Sequence, residues 1–193
     1  MTAMTDVAFL LLTFFMLTAK MKPSEPVVVD TPSSVSEIKL PDIDIMTITI
    51  DNTGKVYFNV DGQHKRLALI NKINEQASLG LSQEEKVSFA NSGSMGIPFQ
   101  YLKQYLAAPV TERNSLEAPG IPSDSVANEL GTWVRNARIV GDNKYRIVIK
   151  ADQGTKYPDV RKVINTLQDQ DINKFNLITD LETNPNKLAS IKK

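Results

Sequence analysis

The run DVAFLLLTFFMLTA is apolar from Val7 to Ala19 apart from two threonines, carries one acidic residue, Asp6, at its head, and meets no lysine or arginine before Lys20. No other segment of the chain is so apolar. As a helix rising roughly 1.5 Å per residue, the run covers about 20 Å, short of the ~30 Å hydrocarbon core of a bilayer. Adding Met1 to Asp6 and Lys20 to Lys22 brings it to about 33 Å, with the lysines snorkelling to the far interface. A membrane span therefore carries a carboxylate at membrane depth. Such a group is costly, and it persists where it moves protons, pairs with a partner or lines a pathway. Helical spacing places Thr2, Asp6, Thr13 and Lys20 on one stripe, while bulky residues from Val7 to Leu17 cover the other faces. A helix of this kind turns one polar seam toward a protein interior and its remaining faces toward lipid or apolar partner helices.

Asp6 is thus the first candidate functional residue. Three rival readings bear on the same segment. A cleaved signal peptide needs a basic leading region and a small-residue cleavage site, whereas this segment opens without lysine or arginine and contains an aspartate. Asp6 as an N-cap at the membrane surface suits the chemistry of aspartate. A buried soluble helix has no obvious neighbour in sequence, because Lys20 leads straight into a proline-rich stretch.

At 193 residues the chain has room for one domain of ordinary size plus an anchor and a linker. Its 22 basic and 22 acidic residues cancel, so the chain as a whole has no electrostatic bias toward nucleic acid or anionic lipid. The balance is uneven: between Pro23 and Asp44, Lys39 alone faces Glu25, Asp30, Glu37, Asp42 and Asp44. An acidic stretch of this kind stays solvated and extended. Pro23, Pro26, Pro32 and Pro41 exclude a continuous helix there, which makes it an extended tether. Within it Ile38, Leu40, Pro41 and Ile43 form a short apolar patch, suited to pairing as an edge strand with a partner or to leading into the first strand.

The lack of cysteine removes disulfides and thiolate chemistry, and the single histidine, His64, removes a nucleophile triad within the chain and most histidine-rich metal sites. His64 follows the Asp61–Gly62 turn and reads as a surface residue. No phosphate loop, metal cluster or nucleophile with its base is visible, so an enzyme is the weakest of the function classes and no cofactor or metal is expected.

Beyond the tether, MTITI from Met46 to Ile50 and VYFNV from Val56 to Val60 alternate around the turn residues Asp51 to Gly54, which predicts a hairpin. Arg66 to Ala77 carries Leu67, Ile70, Ile73 and Ala77 at helical spacing. Ser82 with Glu85 forms a capping box before Phe89, and further helices are expected over Phe99–Leu106 and Ser123–Val140, with Pro109, Pro119 and Pro122 between them. The last section reads as a strand, Tyr145–Ala151, a helix opened by Pro158, and a strand, Phe175–Thr179: a right-handed βαβ crossover. The expected fold class is α+β, a mixed sheet with helices on one face and a C-terminal βαβ unit, following a single transmembrane helix and a linker. The expected boundaries are 1–22 for the helix, 23–45 for the linker, 46–182 for the domain with 79–140 as an insertion, and 183–193 for the tail.

The aspartate heading the helix in MTDVAFLLLTFFML, the Leu40–Pro41 step after the linker, and the strand, Ala-Asp turn, helix and strand in IVIKADQGTKYPDVRKVINTLQDQDINKFNLIT together resemble the ExbD and TolR family of membrane proteins. The resemblance covers the two ends and the hairpin. It departs at Ala3, where the family usually has proline, and at Thr5, where it usually has an apolar residue. The family's polar leading tail is absent from this sequence, so the positive-inside rule gives no orientation. The insertion over 79–140 is similar to that of Bacteroidetes relatives.

The resemblance implies a component of a proton-driven motor in the bacterial inner membrane, single-pass, with its C-terminal domain in the periplasm. It implies a homodimer that works with an ExbB- or TolQ-like channel protein and a TonB- or TolA-like outer component, and not with nucleic acid. On that reading Asp6 is the proton carrier: a dry site disfavours its charged form, water or a hydroxyl restores it, and the alternation couples proton passage to helix movement. Each charge crossing 100 mV delivers roughly 2.3 kcal/mol. Thr13 then relays or orients the proton, against the alternative of a hydroxyl bonded back to its own helix. Asp152 shapes the turn after Ala151. TonB-type import is favoured over a TolR-like role in envelope maintenance. The reading from a different class is a membrane-tethered periplasmic binding module in which Asp6 is only a helix cap.

Overall fold

The computed structural model describes residues 2–18, 33–34, 44–113, 118–124, 127–178 and 180–181. Helix α1 takes Thr2–Thr18, and a first short strand, β1, takes Ser33–Ser34. The alternating residues that follow form the predicted hairpin: β2 (Ile45–Ile50) and β3 (Val56–Val60) pair antiparallel, with Met46 opposite Val60 and Ile50 opposite Val56. The Asp51 carboxylate organises the turn by accepting the Thr53 and Lys55 amides at 2.8 and 2.9 Å, and Gly54 takes a positive φ of 84° that other residues resist. Period-two alternation sends Met46, Ile48, Ile50, Val56, Phe58 and Val60 to one face, all of them in the core.

Helix α2 spans Gln63–Ala77 and begins ahead of Arg66, because Gly62 at φ 92° turns the chain directly out of the strand. Helix α3 (Gln83–Asn91) carries the expected capping box: the Ser82 hydroxyl accepts the Glu85 amide at 3.2 Å and the Glu85 carboxylate accepts the Ser82 amide at 2.8 Å. Helix α4 is Phe99–Ala107 and a single turn, α5, is Val110–Arg113 within the proline-punctuated gap. Helix α6 is Glu129–Val140 and not Ser123–Val140. Its start is delayed because Asn128 caps it, accepting the Gly131 amide at 2.8 Å, while Ser123 and Asn128 pair in an isolated bridge.

Strand β4 (Arg146–Ala151), helix α7 (Tyr157–Gln168), strand β5 (Asn176–Ile178) and strand β6 (Asp180–Leu181) complete the chain. The sheet order is β3-β2-β4-β5, with β2, β4 and β5 mutually parallel, so the sheet is mixed and the C-terminal βαβ unit is present. Strands β1 and β6 form a separate parallel pair, Ser33 beside Asp180 and Ser34 beside Leu181. Two residues of the expected linker, 23–45, therefore lie in a strand, itself an extended conformation, while 23–32 and 35–43 lie outside the described residues.

The segment 79–140, expected as an insertion, packs into the shared core. Leu81, Phe89, Leu102, Leu130 and Trp133 join the same cluster as the strands and as Val163 and Leu167 of α7. Trp133 is fully buried, with its ring 5.8 Å from Phe58, 5.5 Å from Phe89 and 5.4 Å from Phe99, centroid to centroid. The same segment closes the outer edge of β3: Phe58 and Met95 exchange amide bonds at 2.8 Å, and Ile121 donates to the Val56 carbonyl at 2.8 Å. An unpaired edge strand invites association, and here it is covered.

Candidate functional site

In α1, Asp6 and Thr13 lie two turns apart on one stripe, about 10 Å along the axis. Because the helix already begins at Thr2, Asp6 sits inside it and not at the N-cap position, which corrects the capping alternative. The Thr13 hydroxyl points back to its own helix, donating to the carbonyls of Phe9 at 3.0 Å and Leu10 at 2.9 Å. Its proton is therefore committed, and only its oxygen lone pairs face an incoming donor.

Every large apolar side chain described from Met4 to Leu17 is at least half exposed, from 51% at Leu11 to 87% at Leu17. Among the described side chains of α1, Met4 to Leu17, none is buried against the sheet domain. A soluble helix hides an apolar stripe, and an uncovered apolar surface of this extent marks a membrane or protein partner. At 17 residues α1 is about 26 Å long, and no described helix is long and apolar enough to cross a membrane. Lys20 and Lys22, which complete the expected span, lie outside the described residues, as do Ile38, Leu40, Pro41 and Ile43 of the linker patch.

The far side of the linker meets the sheet at a constructed junction. Parallel strands β2 and β4 start at one end of the sheet and β3 finishes there, which brings Asp44, Tyr145 and Asp61 together. Arg146 donates its amide to the Asp44 carbonyl at 2.9 Å, and Asp61 donates its amide to Ile45 at 2.9 Å. The Asp44 backbone is left-handed at φ 60°, its carboxylate pairs with Lys65 of α2, and the Lys65 ammonium lies 5.0 Å from the centre of the Tyr145 ring. Composition placed Asp44 in the acidic tether and gave no sign of this role. The available signal was an aspartate immediately before an alternating strand, a residue type that tolerates a left-handed backbone.

Tyr145 is 9% exposed and its buried hydroxyl has no hydrogen-bond partner. Burial first, then the nearby charges of Asp44 and Asp61, push its pKa up to about 12 from the ordinary 10.0. Below the ordinary value both folded and unfolded chains keep the proton; above it the unfolded chain releases it while the folded chain does not. Stability from this group is thus complete below pH 10.0 and falls as pH rises toward about 12. Tyr145→Phe should flatten that decline in denaturant titrations across this window, and an unchanged slope would show that the phenol is not the group responsible.

A cleft of about 420 Å³ opens between the β2–β3 turn, the Pro119–Asp124 loop and the start of α7. Lys162 in its wall lies 3.1 Å from Asp159 and 3.7 Å from Asp124, and the bond to Asp159 raises the lysine pKa. With the lysine half exposed, these pairs are worth little in stability. Neither Asp6 nor Thr13, nor His64 or Asp152, lines this cleft. Among the described residues no three of His, Asp and Glu converge as metal ligands. Asp152 takes the turn role expected of it, its carboxylate accepting the Gly154 amide at 2.8 Å and its carbonyl the Thr155 amide at 3.0 Å. His64 is exposed in the first turn of α2.

The family described as biopolymer transport protein ExbD/TolR matches residues 1–182. No curated protein and no solved structure matches the chain.

Proposed function

The chain belongs to the ExbD/TolR family of biopolymer transport proteins, and from that premise we propose that it is an ExbD-like component of an inner-membrane, proton-driven complex that powers TonB-dependent transport across the outer membrane. The observation that carries this reading is α1, an apolar helix with none of its described side chains buried against the domain and with Asp6 inside it. On this reading α1 lies in the membrane, the helices of an ExbB- or TolQ-like channel protein enclose it, and the domain that follows stands in the periplasm.

Within that enclosure Asp6 takes up a proton on one side and gives it up on the other. The carboxylate is tolerated in a dry seam only when neutralised, so protonation state and helix position are coupled. Thr13, whose lone pairs share the seam, orients the proton. The linker passes the resulting movement to the periplasmic domain, which acts as one of two copies on a TonB-like partner. This role makes and breaks no covalent bond and calls on no cofactor. A TolR-like role in envelope maintenance uses the same helix chemistry, so nutrient uptake is the readout that separates the two. The test is Asp6→Asn with uptake of a TonB-dependent nutrient as the measurement, and normal uptake would contradict the assignment.

A further inference from the structure

We propose that Asp44 is a clasp that divides a pull arriving through the N-terminal linker between three elements of the domain, so that β2 is not loaded alone. The inference rests on the reading that the linker transmits movement, and it concerns the point where the linker, beyond the β1–β6 pair, enters β2. Asp44 is the residue through which the linker joins β2, and β2 is an inner strand, laddered to β3 on one side and β4 on the other.

Asp44 is held from three directions. Its carbonyl accepts the Arg146 amide at 2.9 Å, which ties it to the start of β4. Its carboxylate pairs with Lys65, which ties it to the first turns of α2. Its left-handed backbone, φ 60°, turns the chain at the point of entry. Lys65 is fixed in turn by its position over the Tyr145 ring, 5.0 Å from the centroid, and that ring packs so closely on Gly141 that an added Cβ would lie 2.1 Å from it. Side-chain exposures of 35% for Lys65 and 44% for Asp44 make the ion pair weak enough to open under load without unfolding the core. A weak contact backed by a strong ladder gives before the sheet does, and it reforms when the load is removed.

The test uses the full chain in lipid nanodiscs and reads amide hydrogen exchange at Arg146, whose N–H is held by Asp44. Lys65→Met removes the pair while keeping the apolar stem, and Asp44→Asn removes the charge while keeping a residue that tolerates the left-handed backbone. Either variant should speed exchange at Arg146 by about two- to fivefold, with exchange at Val148 and Ile149 unchanged. Unchanged exchange at Arg146 in both variants would overturn the clasp, and so would an equal rise along all of β4, which signals general loosening. In cells, both variants should lower energised uptake, and normal uptake beside raised exchange would overturn the load-sharing role. If Asp6→Asn leaves uptake intact, the transport reading fails by itself, and exchange at Arg146 still decides whether the clasp exists.

Discussion

Asp6→Asn reduces energised uptake to the level of cells lacking the protein, while the chain inserts, accumulates and melts as before. Asparagine keeps the size of aspartate and approximates its protonated form, but it cannot ionise and so cannot bind and release a proton. Because no described side chain of α1 is buried against the sheet domain, the change has no route to the core. The loss expected is the whole of the proton-derived work, roughly 2.3 kcal/mol for each charge crossing 100 mV. Asp6→Glu retains the titrating group on a longer stem and should keep part of the activity. A tethered binding module predicts no change in either variant, and uptake in the two strains distinguishes these accounts.

Trp133→Ala has the largest effect on the fold. The indole is fully buried among Phe58, Phe89 and Phe99, which come from β3, α3 and α4, so its removal opens a cavity where strand and helices meet. The cost is about 3–5 kcal/mol. For a chain of this size that lowers Tm by about 6–20 °C. Trp133→Phe costs less, because it keeps a ring in the cluster and deletes an indole N–H that is buried without a partner. Thermal unfolding followed by circular dichroism should retain one transition in both variants, since 79–140 shares its core with the strands. A separate early transition for that segment would contradict the shared core.

The parts of the fold legible in the sequence are those written in local periodicity and local chemistry. Alternation around Asp51–Gly54 gave the hairpin, Ser82 and Glu85 gave the start of α3, and Pro158 followed by Val163 and Leu167 gave α7 of the βαβ unit. The parts not legible depend on partners far away in sequence. The pairing of Ser33–Ser34 with Asp180–Leu181 joins opposite ends of the chain, and nothing in two serines announces a strand. Helix α6 starts late because Asn128 caps it and its upstream residues pair with one another, although their helical spacing continues through Ser123. The segment 79–140 was set apart as an insertion by the family resemblance, and only the packing shows that its apolar residues fill the same interior as the sheet.

The candidate site divides in the same way. Asp6 stands out in a sequence because a lone carboxylate beside an apolar run is energetically conspicuous whatever surrounds it. Thr13 was visible as a member of the stripe, and only coordinates show its hydroxyl spent on Phe9 and Leu10. Asp44 was hidden, because its significance depends on Lys65 and Arg146, which reach it only once β2, β4 and α2 have assembled.

Infrared difference spectroscopy on the complex in lipid reads the Asp6 carboxyl group directly. The account predicts a protonated-carboxyl C=O band that appears and disappears as the pH on one side of the membrane is changed, and that is absent from Asp6→Asn. A side chain that stays ionised throughout, with the spectrum of Asp6→Asn identical to that of the unaltered protein, would contradict it.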